Sequence, residues 1–183
     1  MKTTSQRGFT MIELIVVIVI MGILASVALP RFTNMQRDAR IAKLNAARGS
    51  VAAAAAMVHG AALARVGQGA QTCPNGANAN LAAPGAAGSI CTENGPVNVT
   101  NLYPAASLPG VIAAAGLVPT GANPSVNNLA AEGYTVVAAA PLVTVRIANA
   151  PDPTRCFFTY TAPATNGAAA TVSQVNAAAT LGC

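Results

Sequence analysis

The chain has 183 residues, of which 53% are hydrophobic and 8% charged, and its formal net charge is +5. Five acidic residues and one histidine are few for acid–base or metal chemistry, and no pair of the acidic residues has a spacing that local structure would bring together. The modest positive charge does not favour a polyanion as partner. We therefore predict neither an enzyme nor a nucleic-acid-binding protein, and we expect no cofactor.

The first predicted element is an apolar helix over residues 9–29. At the helical rise this segment covers roughly 32 Å, which matches the hydrocarbon thickness of a bilayer. A secretory signal peptide has a shorter apolar core, of about 7 to 15 residues, and a small-residue cleavage site. Lys2 and Arg7 precede the segment, so the positive-inside rule predicts a cytoplasmic N-terminus and an exported remainder.

One charge, that of Glu13, interrupts the apolar segment near its start. A carboxylate within a membrane span costs on the order of 3 kcal/mol on insertion scales, so it is usually paired, protonated or functional. Position alone leaves two interpretations open. Either the side chain reaches the headgroup region, or it pairs with an opposite charge.

The sequence of residues 7–14, RGFTMIEL, resembles the processing site of type IV pilins and their pseudopilin relatives, and the resemblance covers residues 1–32. It implies that a prepilin peptidase removes the leader, residues 1–8, by cutting between Gly8 and Phe9, and that the new amine of Phe9 is methylated. It also implies that Glu13 attracts the N-terminal ammonium of a neighbouring subunit during assembly. Opposite charges attract far more strongly in a low dielectric than in water, so this pair would set the register between subunits.

Gly22 and Pro30 match the family pattern as well, and both weaken a helix. The resemblance implies that this stretch of helix extends when subunits pack into a filament. Gly22 and Ser26 also form a small-xxx-small pair, which by itself predicts close approach of a neighbouring helix. Both interpretations predict contact between helices of different copies.

Residues 30–64 are predicted to continue the helix as an amphipathic segment, because Ile41, Leu44, Val51 and Val58 share one face. Residues 51–64 are rich in alanine, which favours a thin helix. The basic residues beside the apolar face are expected to be solvated; they are Arg31, Arg37, Arg40, Lys43 and Arg48.

A closer resemblance is to the mannose-sensitive haemagglutinin branch of type IV pilins. It rests on residues 38–45, DARIAKLN, and on the alanine-rich helix with His59 and Gly60, and it covers residues 30–63. The rest of the chain departs from that pattern, so no adhesion specificity is implied.

Residues 65–183 are predicted to form one globular head, with about 120 residues and a single core. Residues 67–128 are dense in Gly, Pro and Asn and are predicted to be a long loop, interrupted by a short helix over residues 108–116 with Ser107 as its N-cap. Strands are predicted over residues 134–139, 142–148, 156–161 and 170–175, with turns at Pro141 and Pro151. An antiparallel sheet packed on the long helix gives an α+β fold, and the resemblance implies that this is the pilin fold.

The four cysteines of an exported head are expected to form disulfides, and three connectivities are possible. Sequence order favours Cys73 with Cys91 and Cys156 with Cys183. The second pair resembles the C-terminal disulfide of type IV pilins, which implies that residues 157–182 form an outward-facing loop. No cysteine has a CxxC neighbour and His59 has no ligand at helical spacing, so no metal site is predicted.

The resemblance implies a pilin of a type IV pilus, a structural subunit for adhesion or motility. Its head lies in the periplasm while the span holds it in the inner membrane, and its partners are prepilin peptidase, the assembly machinery and further copies of itself in a surface filament. A pseudopilin of a type II secretion system is the first alternative, although Glu132 and Asp152 alone make a poor calcium site of the kind major pseudopilins carry. A membrane-tethered extracytoplasmic binding module is the second. The sequon at Asn98 is a weak indication of glycosylation.

Overall fold

The computed structural model describes residues 9–93, 95–118 and 125–183. The predicted leader, including Gly8, lies outside the described residues. The chain divides into two compact units, Met1–Ala39 and Arg40–Cys183.

One helix, α1 (Met11–Arg65), has residues in both units, and it confirms the predicted long helix. Pro30 lies inside α1, and the helix continues through it. In the second unit, Leu44, Val51 and Val58 are buried and Ile41 is half-buried, as their shared face predicts. Small residues on the same face bring the rest of the head close to the helix axis; they are Ala47, Ala54, Ala55 and Ala62.

The second unit contains three antiparallel sheets in the part of the chain that the structure describes. The first pairs β1 (Gln71–Thr72) with β2 (Asn78–Ala79). The second has the order β3-β4-β5, and its strands are β3 (Gly88–Thr92), β4 (Gly95–Thr100) and β5 (Tyr103–Pro104). The third has the order β6-β7-β8-β9, with β6 (Tyr134–Ala139), β7 (Leu142–Ile147), β8 (Phe157–Thr161) and β9 (Thr171–Val172).

The third sheet agrees with the strands predicted from alternating apolar residues. The predicted turns at Pro141 and Pro151 lie between strands, and the Ala140–Pro141 peptide bond is cis. The strand predicted over residues 170–175 is shorter, because only Thr171 and Val172 pair with β8. The α+β fold of a long helix with small antiparallel sheets and two disulfides is confirmed.

The predicted long loop over residues 67–128 is wrong in its central part, where β1 to β5 form two small sheets. The glycines and prolines there lie within and between short strands. Pro96, for example, lies in β4 opposite Cys91, while β5 pairs with β4 at Val99 and Thr100, away from Pro96. Its missing N–H therefore leaves the β4–β5 ladder intact.

The helix predicted over residues 108–116 begins where expected, as a π-helical turn (Leu108–Ile112). Gly110 has non-helical backbone angles (φ −98°, ψ −109°), so the turn is irregular. The Ser107 side chain does not cap it; its hydroxyl is buried without a hydrogen bond in the described structure. Three further short helical segments are α2 (Val126–Ala131), a 3₁₀ turn (Pro153–Arg155) and α3 (Ala177–Thr180).

Two apolar clusters form the core of the second unit. The larger joins the middle of α1 to the third sheet, and its largest buried side chains include Leu44, Phe158 and Tyr160. The smaller joins Val58 and Ala62 of α1 to the second sheet. The hydroxyl of Tyr160 donates to the carbonyl oxygen of Pro104 (2.6 Å), and burial raises the pKa of Tyr160 well above its ordinary value.

Candidate functional site

The first turn of α1 contains Glu13, the residue to which the resemblance gives a role in assembly. Its Oε2 accepts hydrogen bonds from the backbone N–H and the hydroxyl of Thr10, both at 2.9 Å. In return, Thr10 Oγ1 accepts from the backbone N–H of Glu13 at 3.3 Å. These reciprocal bonds form a capping box, in which two otherwise unpaired helix N–H groups are satisfied.

The sequence signal for this capping box is Thr10 followed three residues later by Glu13, a pattern that predicts a helix start independently of the resemblance. The structure thereby gives Glu13 a partner within its own chain. The partner is neutral, so these hydrogen bonds bring no positive charge to the carboxylate. An incoming ammonium would meet a carboxylate that is already held in place.

The surroundings of Glu13 are apolar and open. Phe9, Ile12, Val16 and Val17 lie around it and line an open cleft of about 370 Å³. Phe9, whose amine the resemblance expects to be methylated, is 94% exposed. Glu13 itself is exposed, so its attraction to a cation would be screened less than in water only once lipid or other protein covers this surface.

From residue 11 to residue 29 the large apolar side chains of α1 are exposed by half or more all around the helix. Among the described residues this is the one helix long and apolar enough to cross a membrane. An uncovered apolar surface of this extent is unstable in water, so lipid or other protein must cover it.

Gly22 lies on this part of α1, and Pro30 follows directly after it. A side chain built at Gly22 would meet no atom within 4 Å, so packing inside its own chain does not require glycine there. Ser26, one turn further on, donates its hydroxyl hydrogen to the carbonyl oxygen of Ile23 (2.7 Å) and leaves a small surface beside Gly22. This small patch is suited to close approach of another helix.

The expected solvated face of basic residues is wrong for two of its five members, Arg40 and Arg48, which are half-buried, whereas Arg31, Arg37 and Lys43 are exposed. Arg40 donates to the main-chain oxygen of Cys183 (2.9 Å), and Arg48 donates to that of Ser173 (2.7 Å). Lys43 donates to the main-chain oxygen of Glu132, and its ammonium lies 4.6 Å from the centre of the Tyr134 ring. These contacts connect α1 to late segments of the head, a role that charge pattern alone does not reveal.

The four cysteines form two disulfides, Cys73–Cys91 and Cys156–Cys183, which are the pairs that sequence order favours. Cys156 and Cys183 are buried in the larger core. The chain between them includes β8 and β9, so the expected outward-facing loop is partly a pair of strands of the third sheet.

His59 stacks on Tyr103, with ring centroids 4.0 Å apart, and its Nδ1 lies 3.1 Å from the carbonyl oxygen of Leu102. Because a carbonyl accepts, Nδ1 carries the hydrogen. In the part of the chain that the structure describes, no three His, Cys, Asp or Glu side chains lie together in a way that would hold a metal ion.

A family model described as "Prokaryotic N-terminal methylation motif" matches residues 3–29, which include Phe9, Glu13 and Gly22. The chain has a prepilin-type N-terminus. Its relatives support a subunit of a type IV pilus or of the related type II secretion pseudopilus.

Two curated relatives match parts of the chain. The type IV narrow pilus major component PilA5 of Thermus thermophilus is 45% identical over 51 residues, which are 28% of this chain and 44% of that protein. The type II secretion system core protein G of Klebsiella michiganensis is 67% identical over 30 residues, 16% of this chain and 21% of that protein. The matches thus span less than half of either relative. No solved structure matches the chain significantly.

Proposed function

We propose that the chain is the structural subunit of a type IV pilus. In this proposal residues 1–8 are a leader that prepilin peptidase removes, and residues 9–29 hold the subunit in the inner membrane. Residues 30–64 continue the helix, and residues 65–183 form a head in the periplasm. The pilus assembly machinery then polymerises processed copies into a surface filament for adhesion or motility.

The observation that carries the proposal is the uncovered apolar helix with one carboxylate at its start. A helix that is apolar all round must be covered on every side, first by lipid and then by the helices of other copies. Glu13 is fixed by Thr10 within a cleft lined by Phe9, so an ammonium at Phe9 of a neighbouring copy would find an ordered carboxylate. That pair would offset the cost of keeping Glu13 in an apolar setting.

The choice of a pilus over a secretion pseudopilus rests on three observations. The match to the pilus component covers 51 residues, more than residues 1–29 can supply, so it includes positions beyond the apolar segment. The match to the pseudopilin covers 30 residues, about the length of that shared region. The head has two disulfides and few acidic residues, which favours a covalently stabilised head over a calcium-bound one.

The mannose-sensitive haemagglutinin subtype is a finer proposal. It rests on the sequence of residues 38–45 and the alanine-rich helix with His59 and Gly60.

The test is intact-mass and N-terminal analysis of filaments sheared from the cell surface, without reductant. A chain that starts at methylated Phe9 and lacks four hydrogens for two disulfides is the expected result. Processed protein that stays in the envelope and is absent from the sheared fraction would favour the pseudopilin. The 67% identity of the 30-residue match to the secretion protein supports that alternative. An uncut chain that starts at Met1 would favour the tethered binding module.

A further inference from the structure

A cleft of about 280 Å³ opens on the surface of the head, within the second unit. Its first wall is α1, which contributes His59 and Leu63. The second wall is the turn between β4 and β5 together with Tyr103, and the third is the segment from Asn166 to Ala169 between β8 and β9. Three distant parts of the chain thus meet around one space.

The walls of the cleft are held in place by contacts between them. The β4–β5 turn consists of Asn101 and Leu102, and the carbonyl oxygen of Leu102 lies 3.1 Å from Nδ1 of His59. The Tyr103 ring stacks on His59, with ring centroids 4.0 Å apart and planes 9° apart. Asn101 is buried, and its Nδ2 donates to the carbonyl oxygen of Pro163 (2.8 Å), just before the third wall. A site with walls fixed in this way loses little conformational entropy when a ligand enters.

Three polar groups at the cleft have no hydrogen-bond partner among the described residues. They are Nε2 of His59, the hydroxyl of Tyr103 and the side-chain amide of Asn166. Because Nδ1 of His59 carries the hydrogen, Nε2 of the neutral ring is an acceptor, whereas the hydroxyl and the amide both donate and accept. Leu63 and two alanines of the third wall add apolar surface. The cleft therefore combines free donors and acceptors with apolar and aromatic contact area.

These groups limit the chemical class of a ligand. None of the residues around the cleft is Asp, Glu, Lys or Arg, so an ion would leave water without finding a counter-charge. A purely apolar ligand would bury the three free polar groups without partners, which is unfavourable. The volume lies near the lower end of the range for small-molecule pockets, so it suits one ring rather than several. A neutral pyranose meets all three limits, because its hydroxyls pair with polar groups while its C–H faces contact apolar and aromatic side chains.

We propose that this cleft binds a single neutral sugar ring of the pyranose type. The free groups of His59, Tyr103 and Asn166 hydrogen-bond to its hydroxyls, and Leu63 contacts its C–H groups. This inference goes beyond the proposed function and does not depend on it, because every residue of the site belongs to the head of one copy. It gives the head a recognition function that operates with or without polymerisation.

The test titrates the full chain with sugars in micelles of a detergent that has no sugar headgroup. The probes are the methyl glycosides of glucose, galactose and N-acetylglucosamine, and methyl glucuronide is the matched charged control. Carbon-13 labelling lets NMR observe the single histidine and the three tyrosine rings. At least one neutral probe is expected to shift the His59 and Tyr103 signals, with half-saturation on the order of 1 mM, as for other small one-ring ligands. Tyr134 lies outside the cleft, so its signals are expected to stay unchanged.

Two pairs of variants locate the site, and all four change exposed side chains, so the head is expected to stay folded. Asn166→Ala removes the free amide and is expected to weaken binding about fivefold. Thr165→Ala, one residue earlier and outside the cleft, is its control and is expected to leave the affinity unchanged. Leu63→Trp fills the cleft and is expected to abolish binding, whereas Met57→Trp places the same ring elsewhere on α1 and is expected to retain it.

Shifts of the His59 and Tyr103 signals that are lost in Leu63→Trp and kept in Met57→Trp would support the site. No shift with any of the three neutral probes at about 50 mM would overturn the proposal. Equal affinities of Asn166→Ala and Thr165→Ala would also overturn it, because the sugar would then bind elsewhere. Binding of the glucuronide as tightly as the glucoside would reject a site for neutral sugars. None of these measurements needs a filament, so a chain that binds sugar and does not polymerise would refute the proposed function alone.

Discussion

Leu24 and Leu44 lie on the same helix, yet Leu24 is 64% exposed and Leu44 is completely buried. The difference separates the two units of the chain. In Met1–Ala39 the apolar side chains of the described residues have no cover within the copy, whereas in Arg40–Cys183 they form two closed clusters. The same residue type therefore stabilises the fold in the second unit and is left uncovered in the first.

Truncating one leucine in each unit tests this difference. Leu44→Ala is expected to lower the free energy of unfolding of the head by roughly 3 kcal/mol, because it leaves a cavity in the larger core. Leu24→Ala is expected to change it by less than about 0.5 kcal/mol. Denaturant unfolding of the full chain in detergent, followed by near-ultraviolet circular dichroism of the tyrosines, measures both.

The filament yield is expected to show the opposite order for these variants at a temperature where the head stays folded. In the proposed filament other helices cover the surface that includes Leu24, so Leu24→Ala should reduce the amount of filament sheared from cells. A head destabilised equally by both substitutions would mean that residue 24 packs within its own copy.

Removing each disulfide in turn measures how much it contributes to the stability of the head. Removing Cys156–Cys183 as a pair of alanines is expected to cost about 3 to 4 kcal/mol, because the bond closes a segment of the larger core. The Cys73–Cys91 disulfide closes a shorter loop, so its removal is expected to lower the free energy of unfolding by about 3 kcal/mol or less. Thermal unfolding of the paired variants gives the order; the reverse order would show that the smaller sheets limit stability.

Periodic patterns in the sequence predicted α1 and most of the third sheet, because residues such as Val143, Val145 and Phe158 alternate between core and surface. The β4–β5 hairpin was not predicted, since its turn is formed by Asn101 and Leu102, both at positive φ (52° and 67°). A leucine in the left-handed region costs about 1 to 2 kcal/mol, so it is not a turn signal. Its burial in the smaller core offsets that cost, and the sequence alone does not show this packing.

At the candidate site, too, local features could be predicted from the sequence, whereas contacts between distant residues could not. Glu13 stands out because a carboxylate in an apolar helix needs an explanation. Its bond to Thr10 was also present as a local pattern. The contacts of Arg40 and Arg48 were not predictable, because each joins α1 to a carbonyl more than a hundred residues away.

Glu13 has two possible contributions, helix capping and charge, and two substitutions separate them. Glu13→Gln retains a capping side chain but removes the charge, whereas Thr10→Ala removes the cap and retains the charge. If the charge pairs with an ammonium of another copy, Glu13→Gln should reduce the filament yield by at least about tenfold, equivalent to 1.4 kcal/mol. Thr10→Ala should reduce it far less.

Quantitative immunoblots of sheared filaments, normalised to processed subunit in the membrane, measure this effect. A normal yield for Glu13→Gln with a large loss for Thr10→Ala would show that helix capping is the role of Glu13. Normalisation to processed subunit removes any effect of either change on cleavage.

A smaller effect is expected from the basic side chains of the head. Arg48→Met removes the hydrogen bond to the carbonyl oxygen of Ser173 and should lower the free energy of unfolding by about 1 kcal/mol. Arg37→Met, on the exposed part of the same helix, is the matched control and should leave it unchanged. Denaturant midpoints of the two variants give the comparison, and equal values would show that the Arg48 side chain is solvated and contributes nothing to the fold.

The smallest effect concerns Asp152, which accepts from the hydroxyl and the backbone N–H of Thr154 at the start of the 3₁₀ turn. The Thr154 hydroxyl holds the pKa of Asp152 below its ordinary value. A lowered pKa in the folded state means that the carboxylate stabilises the head above the unfolded-state pKa of about 4, and that this contribution is lost as the pH falls through the folded-state pKa. The stability difference between the parent and Asp152→Asn should therefore be larger at pH 6 than at pH 3 in paired thermal unfolding measurements. Because the carboxylate is exposed, the change should be small. A stability difference that grows towards pH 3 would contradict the claim that the ionised form of Asp152 stabilises this turn.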